Sequence, residues 1–512
     1  MSDFLAFAPP EPGLPLQRWL LNELRAAMRD GRLPAGSRLP TSRALAEAHG
    51  ISRSTVTAVY ARLLADGYLV GEVGRGTFVA PQRRPSETPA AARPVIKPSL
   101  SGQGRTIAAA GAGLYGCTRL FPTFEPDQID LALLPSNIWH TLAGRRTQPH
   151  EARLLQEGMP LQGYAPLRDA LAEVLATTRG LRSCEPERLV IVPGVAPAID
   201  LLARLLLDPG DRAWVEDPGP PNVQALLTAA GAEVVPLPVD EQGMRVDEGL
   251  RLAPRARLAH VTAGVQMPLG HGLSADRRWA LQRWAEQAQA HVIVEQRDVD
   301  FVFGGAPEPE LEDDERTIHL GHVTFNASPA LRLAWLLLPQ HLVDPVCAAL
   351  ALTGALPSVL DQAVLHDFIA QGHWARHLRL AREVYATRSA LLREQLDKHF
   401  GRWIEVPAQQ RGLTLALRLR SGEVSDVEIA ARAAAAGIVV QPLSPFSRRQ
   451  PPVNGLRLGF AAFPEAGIRG GVEKLVAALE RRRTTSTGPN PRRRRSDDEL
   501  FLQPLPTPKK YG

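Results

Sequence analysis

The chain has 512 residues, 44% of them hydrophobic, and this length predicts roughly two to four domains with sizeable cores. A net charge of +5 permits nucleic acid as a partner without requiring it. Three widely spaced cysteines indicate neither a disulfide framework nor a metal site, so we expect a reducing cytoplasm. The first residues lack the pattern of a signal peptide, and no apolar run of about 18 residues predicts a membrane span.

The N-terminal part of the sequence, residues 14–80, predicts a small helical domain. Apolar positions at helical spacing predict a first helix over 16–30. Thr41 can cap a second helix and Ser52 a third, because a hydroxyl oxygen accepts from the free N–H groups of a first helical turn. Residues 69–79 then predict two short strands joined by a glycine-rich tip. Helix, turn, helix and wing in this order predict a winged helix-turn-helix domain.

The polar start of the third helix predicts contact with DNA. Short hydroxyl side chains beside one arginine, at a helix N-terminus, suit a helix that enters the major groove end-on. The predicted contacts in this helix are Ser52, Arg53, Ser54, Thr55 and Thr57. The alternative is a small helical domain whose polar end is only solvated.

Composition divides the rest of the chain into three parts. Residues 81–113 are rich in proline, alanine and arginine and predict an extended, semi-rigid linker. Residues 114–480 alternate strands with amphipathic helices, which predicts an α/β domain with a mostly parallel sheet and a smaller C-terminal α+β section. Residues 484–512 include four consecutive arginines and predict a disordered basic tail, with nonspecific phosphate binding as the alternative.

Short apolar runs predict the strands of the large domain. The runs cover 189–192, 213–216, 233–237, 259–262, 291–295 and 331–338. The smaller section adds runs at 413–417 and 455–460. Because helices separate most of the earlier runs, we expect their strands to be parallel.

Two sets of motifs occur in fixed order along the chain. The first set comprises 31–40, 42–46, 52–56, Tyr60, Leu63, 67–68 and 74–79. It resembles the winged helix of the GntR transcription-factor family. The second set comprises 163–168, 208–211, 216–219, 266–270, 329–333 and 455–460. It resembles the fold type I aminotransferase domain that the MocR subfamily joins to that winged helix.

The resemblance implies further DNA contacts and a mode of assembly. By motif position, Arg43 lies at the groove, and Gly74 and Arg75 of the wing approach the minor groove or its phosphates. Arg38 is a phosphate contact on the same grounds, with an intramolecular pair as the alternative. Double-stranded DNA is the implied partner. The implied assembly is a homodimer that binds paired half-sites, with the DNA-binding domain of one chain packed on the large domain of its partner.

The large domain departs from this resemblance at the residues that hold pyridoxal phosphate. Fold type I enzymes bind this cofactor as an imine of a lysine. No lysine occurs between Lys97 and Lys398, so we predict that no aldimine forms. The family's aspartate at the pyridine nitrogen corresponds to Gln296, with Asp298 as the alternative occupant, and the tyrosine near the ring oxygen is missing.

Other family positions keep residues that suit an anionic ligand. Arg332 matches the phosphate-binding arginine, Gln266 the residue near the ring oxygen, and Arg457 a carboxylate-binding arginine. The candidate pocket residues are Gln266, Gln296, Asn326, Arg332 and Arg457. They predict a modified pocket for a small anionic effector, without catalytic residues, metal ligands or a covalent cofactor. The alternative is that the arginines bond to backbone at strand ends.

The sequence therefore predicts a DNA-binding regulator of the MocR type, whose degenerate aminotransferase-like domain serves effector sensing or dimerisation. Two other functions stay open. One is an aminotransferase-type enzyme that uses pyridoxal phosphate, or a regulator that binds this cofactor noncovalently. The other is an architectural dimerisation domain that binds no ligand.

Overall fold

The computed structural model describes residues 7, 9, 15–72, 75–81, 100–112, 123–148, 160–181, 184–303, 314–322, 331–401, 403–407, 410–420 and 424–480. These residues fall into two units, Met1–Ser99 and Leu100–Gly512. Gly74, Asn326, Cys117, the predicted tail at 484–512 and most of the predicted linker lie outside the described residues.

The described part of the first unit consists of helices and a hairpin in the predicted order. The elements are α1 (Leu16–Arg29), α2 (Ser42–His49), α3 (Arg53–Ala65), β1 (Leu69–Glu72) and β2 (Gly76–Val79). The Thr41 side chain accepts from the N–H of Ala44, and Ser52 accepts from that of Thr55, so both predicted caps are present. The hairpin is antiparallel, with Leu69 opposite Val79.

Leucine side chains from all three helices form the core of the first unit. Leu20, Leu24 and Leu63 are fully buried, and Leu45 is nearly so. Leu64, which shares the apolar stripe of α3 in the sequence, is 39% exposed. The buried face of α3 is therefore narrower than its apolar stripe in the sequence. Only residues about one helical turn apart face the same core.

The second unit is built on two larger sheets. Its strands are β3 (Leu189–Val192), β4 (Arg212–Asp217), β5 (Glu233–Asp240), β6 (Gly243–Met244), β7 (Leu258–Val261), β8 (His291–Gln296), β9 (Val302–Phe303), β10 (Thr317–His322), β11 (Ala334–Leu337), β12 (Ile404–Glu405), β13 (Gln410–Arg411), β14 (Thr414–Leu419), β15 (Gln441–Pro442) and β16 (Gly455–Gly459). The central sheet has the order β3-β11-β10-β8-β7-β4-β5-β6. The smaller sheet, β12-β14-β16-β15, is antiparallel.

Helices cover both faces of the central sheet and pack on the smaller one. They are α4 (Gly102–Ala112), α5 (Ser136–Arg146), α6 (Ala165–Arg179), α7 (Val195–Leu206), α8 (Pro221–Ala229), α9 (Val246–Leu252), α10 (Ala275–Ala288), α11 (Gln340–Thr353), α12 (Val359–Ala370), α13 (His373–Phe400), α14 (Asp426–Ala435) and α15 (Glu465–Glu480). No helix of the described residues is long and apolar enough to cross a membrane.

The predicted α/β fold with a mostly parallel sheet is confirmed. Strands β5, β4, β7, β8 and β10 run parallel in the middle of the sheet, and β11 runs antiparallel to both of its neighbours. Strand β10 was missed by the sequence analysis because Thr317, His319 and Gly321 interrupt its apolar residues. The predicted strand at 331–338 is shortened to β11, because Arg332 has a φ of 47°, outside the strand region.

Residues 102–112, which the sequence analysis assigned to the extended linker, form helix α4. The side-chain nitrogen of Gln103 donates to the backbone oxygen of Ala229 at 3.3 Å, so α4 lies against the end of α8. This stretch contains no proline, whereas the preceding linker does. The average composition of residues 81–113 predicts an extended linker, although its proline-free last part is able to form a helix.

Leu63→Ala is expected to lower the free energy of unfolding of the first unit by about 2–5 kcal/mol, because truncating a fully buried leucine leaves a cavity. Leu64→Ala is the matched control and should change it by less than about 1 kcal/mol. Hydrogen exchange of the α1 and α3 amides in the full chain measures both. Equal losses in the two variants would contradict this assignment of the core.

Candidate functional sites

The hydroxyl groups at the start of α3 are bonded to one another. Ser52 Oγ accepts from the N–H of Thr55 at 3.1 Å and lies 2.8 Å from Ser54 Oγ and 2.7 Å from Thr55 Oγ1. Thr57 Oγ1 donates to the backbone oxygen of Arg53 at 2.9 Å. These bonds hold a polar surface in a fixed arrangement at the end of the helix, where free N–H groups favour an anion.

The two arginines predicted to reach the major groove, Arg43 on α2 and Arg53 at the start of α3, are both exposed. Arg53 is exposed, and no acidic side chain in the described part of the chain pairs with it. Arg43 Nε lies 3.0 Å from Glu47 Oε1, but the two side chains are 79% and 67% exposed. Because such exposed pairs contribute little free energy, Arg43 is available to another anion.

The wing lies beside the segment that precedes α2. Leu39 N–H donates to the Thr77 oxygen at 2.8 Å, which fastens this segment to β2. The Arg38 side chain lies over Gly76, since a Cβ there would stand 2.9 Å from Arg38 Nε. Arg38 has no acidic partner among the described residues, so its predicted alternative, an intramolecular ion pair, is absent there. Arg75 pairs with Glu72 at 2.6 Å and stays 75% exposed.

In the second unit, polar side chains gather at one edge of the central sheet. Because β4, β7, β8 and β10 are parallel, their carboxyl ends lie at the same edge. Ligands of open α/β sheets bind outside this edge. The side chains at or next to these strand ends are Glu216, Thr262, Glu295, Gln296 and His322.

Gln266 is buried at this edge and bonds within the chain. Its Nε2 donates to the backbone oxygens of Pro218 at 2.8 Å and Met267 at 2.7 Å. Its Oε1 accepts from the N–H of Leu269 at 3.1 Å. Gln266 therefore holds the turn after β7 against the turn after β4, and it shapes the edge through backbone contacts.

Glu216 lies beside Gln266 and is almost completely buried. Its Oε2 accepts from Thr262 Oγ1 at 2.5 Å and lies 3.3 Å from Gln266 Nε2. Burial raises the pKa of Glu216 to about 7, against the hydrogen bond from Thr262 and the charge of His260, which lower it. The pKa of this buried carboxyl group therefore lies near neutral pH.

Gln296, at the end of β8, is held by a guanidinium group from α6. Arg179 Nη1 donates to Gln296 Oε1 at 2.7 Å, and Arg179 Nη2 donates to Asp300 Oδ2 at 2.6 Å. Gln296 Nε2 lies 3.4 Å from His319 Nδ1. The position predicted to face a pyridine nitrogen thus belongs to a buried polar network.

Asp298, the alternative to Gln296, lies in the turn after β8 with a φ of 51°. Burial raises the pKa of Asp298, whereas the charge of Arg297 opposes the rise. Its Oδ1 is buried and has no hydrogen-bond partner among the described residues. Asp298 therefore retains an acceptor that no described residue uses.

Two histidines flank Glu295, an arrangement that the sequence analysis did not predict. His260 Nε2 lies 3.2 Å from Glu295 Oε2, and His322 Nε2 lies 3.1 Å from Glu295 Oε1. Burial alone would raise the pKa of Glu295, but hydrogen bonds from both histidines hold it well below its usual range. Within the described ranges, no group of three or more His, Cys, Asp or Glu side chains is arranged to hold a metal ion.

Arg457, on β16 of the smaller sheet, is 2% exposed and binds a carboxylate of the chain itself. Its Nη1 and Nη2 donate to Asp127 Oδ2 and Oδ1 at 2.9 Å and 2.6 Å. Arg297, directly after β8, donates to Asp127 Oδ1 at 2.6 Å. The predicted carboxylate-binding arginine is therefore engaged by Asp127, a residue that the sequence analysis did not single out.

Arg332 and Gly194 lie together at the start of α7. Gly194 has a φ of 116°, and the Arg332 backbone oxygen lies 3.9 Å from where a Cβ on Gly194 would stand. The Arg332 side chain is exposed. A helix N-terminus suits an anion, although Pro197 removes one of the N–H groups of the first turn and the contact of Arg332 with Gly194 is through its backbone oxygen.

Comparison with known families divides the chain as the structure does. Residues 17–79 match the bacterial regulatory proteins of the gntR family. Residues 141–475 match the aminotransferase class I and II family.

Similar proteins have the same two parts in one chain. The probable rhizopine catabolism regulatory protein MocR of Rhizobium meliloti is 33% identical over 91% of this chain and 94% of its own length. The pyridoxine biosynthesis transcriptional regulator PdxR of Corynebacterium glutamicum is 29% identical over 77% of this chain and 81% of its own. Among solved structures, a multiple substrate aminotransferase from Thermococcus profundus covers 75% of this chain and 97% of its own at 24% identity, with a TM-score of 0.65, which shows a shared fold.

Glu216→Gln is expected to weaken the pH dependence of stability of the second unit. Because the pKa in the folded chain, about 7, lies above the ordinary 4.5, the folded state binds this proton more tightly than the unfolded state does. The stability from this group is complete below the unfolded pKa and is lost as the pH rises through the folded pKa. The wild-type free energy of unfolding should fall by up to about 3 kcal/mol across that window.

Urea unfolding at several pH values between about 5 and 8 measures this slope. Glu233→Gln, on the neighbouring strand β5, is the control, because Glu233 is 58% exposed and should leave the slope as in the wild type. A Glu216→Gln slope equal to that of the wild type would show that Glu216 does not titrate in this range.

Proposed function

The chain belongs to the gntR family of bacterial regulatory proteins, in the MocR-like group with a class I and II aminotransferase domain, and we propose that it is a DNA-binding transcriptional regulator without aminotransferase activity. The first unit binds an operator in double-stranded DNA. The second unit senses a small anionic effector and joins two chains. The exposed start of α3, where Arg53 lies among interlocked hydroxyl groups, carries the DNA-binding part of the proposal.

Each group at the start of α3 has a chemical task in this proposal. Arg53 can bond a guanine edge with two parallel hydrogen bonds, which discriminates between base pairs. The hydroxyls of Ser54 and Thr57 reach phosphate oxygens and fix the position of the helix. Arg38 and Arg75 bring positive charge to the wing, where phosphates or the minor groove lie. These are exposed residues, as a DNA contact requires.

The residues of the second unit do not fit pyridoxal phosphate as a covalently bound cofactor. Covalent binding of that cofactor requires an imine with a lysine of the chain, and no lysine occurs between Lys97 and Lys398. At the position of the pyridine partner, Gln296 bonds to a guanidinium group where a carboxylate is needed. Both observations support a domain that binds ligands without catalysing transamination.

An anionic effector agrees with the charges at the carboxyl edge. The start of α7, with the exposed Arg332 beside it, offers a site for a phosphate or carboxylate group. In a homodimer, a ligand that binds one arrangement of the two chains better shifts the population towards it. The spacing of the paired DNA-binding units, and with it operator occupancy, then depends on the ligand.

Arg53→Ala is expected to weaken binding to the operator by about 10-fold or more, because a two-bond contact with a base contributes about 1–3 kcal/mol. The measurement is a footprint and an anisotropy titration of the full chain on the DNA upstream of its own gene. The control is Arg62→Ala on the same helix, since Arg62 is 66% exposed and lies 3.9 Å from Asp66. We expect this control to bind within about 2-fold of the wild type.

Two results would count against this part of the proposal. One is a full chain that binds neither this DNA nor other duplexes at low salt. The other is an equal loss of affinity in Arg53→Ala and Arg62→Ala, which would indicate a diffuse charge effect and no contact at the start of α3.

Pyridoxal phosphate mixed with the full chain is expected to give no stoichiometric absorbance band near about 400–430 nm that borohydride abolishes. Mass spectrometry after reduction should find label only at traces on Lys97, Lys398, Lys474, Lys509 and Lys510. One mole of reduced cofactor per chain at a single lysine would overturn the loss of covalent chemistry. A saturable but unreducible complex would instead identify the cofactor as a noncovalent effector.

A further inference from the structure

Three aromatic rings, none of them among the predicted DNA contacts, form a cluster in the first unit. The Phe7 ring stacks on the His49 ring, with the centroids 4.8 Å apart and the planes at 16°. The Trp19 ring lies 6.1 Å from Phe7 at 86° and 5.8 Å from His49 at 72°. Each ring therefore contacts the other two, in the stacked and edge-to-face arrangements that aromatic pairs favour.

The cluster joins three separate parts of the chain. Trp19 belongs to α1 and is 6% exposed, so its ring is fixed in the core of the unit. His49 is the last residue of α2. Phe7 precedes α1 and packs, partly buried, against the same core. Phe7 therefore links the segment before α1 to both helices.

His49 lies where α2 meets the turn that leads into α3. Gly50 ends α2 with a φ of 62°, and Ser52 caps α3, so only residues 50–52 separate the two helices. Within this turn the N–H of Ile51 donates to the oxygen of Ala46 at 3.1 Å. Because the turn is so short, the position of one helix determines that of the other. A ring that fixes His49 therefore also fixes the start of α3.

The start of α3 needs a fixed position because bases are read there in the proposed function. Hydrogen bonds to base edges depend on distance and direction, so a small rotation of α3 moves a side chain out of reach. Contacts with phosphates depend mainly on charge and tolerate such a rotation better. A ring cluster that sets the angle between α2 and α3 therefore affects binding to an operator more than binding to unrelated DNA.

The composition of the segment before α1 favours docking of Phe7. Four of the eight residues from 8 to 15 are proline. Because proline fixes φ, this stretch has less conformational entropy to lose than an ordinary connection of the same length. The contacts of one phenyl ring with two other rings are therefore opposed by a smaller entropy cost.

We propose that Phe7 is a positioning residue for operator recognition. Its ring, stacked on His49, holds the turn between α2 and α3 in the arrangement that presents the start of α3 to the bases. Phe7 acts through His49 and has no contact with DNA in this proposal. The inference rests on the proposed DNA-binding function and adds to it a residue that lies outside the helix-turn-helix motif.

Phe7→Ala is expected to weaken binding of the full chain to its operator by about 5-fold, which leaves about one fifth of the molecules in the binding arrangement. Binding to an unrelated duplex at low salt should change by less than about 2-fold. Anisotropy titrations with both duplexes measure this difference, and the operator used is the DNA that the wild-type chain protects in a footprint.

Two variants control for the chemistry of the substitution. Phe7→Tyr keeps the ring and should bind both duplexes within about 2-fold of the wild type. Leu16→Ala removes apolar surface at the start of α1, where Leu16 is 43% exposed and is not part of the ring cluster. It should also leave both affinities within about 2-fold.

Substitutions of His49 show whether Phe7 acts through this residue. His49→Ala should weaken operator binding by about the same factor as Phe7→Ala. The double variant should lose no more than about 2-fold beyond either single variant, because both substitutions break the same stack. His49→Phe keeps a ring at the end of α2 and should bind the operator within about 2-fold of the wild type.

Hydrogen exchange in the absence of DNA tests the contact independently of the operator. In Phe7→Ala, the amide of Ile51 should exchange at least about 3-fold faster than in the wild type. The amide of Tyr68, which donates to the Leu63 oxygen at 2.9 Å, is the internal control and should change by less than about 2-fold.

Equal losses on the operator and on unrelated DNA in Phe7→Ala would overturn the proposal, because they indicate only a general loss of folded chain. Equal operator losses in Phe7→Ala and Leu16→Ala would overturn it as well, and so would effects of Phe7→Ala and His49→Ala that multiply in the double variant. For an alanine variant that does not fold, Phe7→Leu keeps apolar surface without a ring, and we expect it to lose at least about 2-fold on the operator alone.

The two kinds of failure are distinguishable. A wild-type chain that binds no DNA would overturn the proposed function and, with it, the role of Phe7 in recognition. Unchanged exchange of the Ile51 amide in Phe7→Ala, in a chain that binds its operator, would overturn the role of Phe7 alone.

Discussion

Three arginine side chains of the second unit that are mostly or fully buried bond to carboxylates of the chain. Asp127 satisfies Arg297 and Arg457 together, and Asp300 satisfies Arg179. Leaving any of these cations without its anion would cost several kcal/mol, so the arrangement of the edge follows from this pairing.

The same pairing bears on the proposed loss of aminotransferase activity in a domain that keeps the fold. Gln296, which the resemblance predicts to face a pyridine nitrogen, ends β8, and its oxygen accepts from Arg179. The strands that present such groups depend on backbone pairing and apolar packing, which polar replacements at the strand ends leave intact. A domain of this kind can lose a reaction and retain a shaped, charged pocket, as the proposed regulator requires.

The first unit follows the opposite rule. The arginines predicted to contact DNA stay exposed, and pairs such as Arg43 with Glu47 and Arg75 with Glu72 contribute little stability because water screens them. The unit therefore depends on its leucine core for folding, and its surface charge remains free for phosphates.

The sequence by itself determined whatever depends on neighbours along the chain. The caps at Thr41 and Ser52, the helices they start, and most strands of the parallel sheet follow from local chemistry and periodicity. Strand β10 was not predicted because its polar residues break the apolar pattern. Helix α4 was not predicted because the composition was averaged over the whole linker. The missing lysine is also a property of the sequence alone.

Only the tertiary structure decided how the pocket residues are used. Asp127 meets Arg457 across 330 residues, and no spacing rule links positions that far apart. Their contact exists because two sheets and an anchored turn converge there, and it determines whether an arginine that a motif assigns to a ligand is free to bind one.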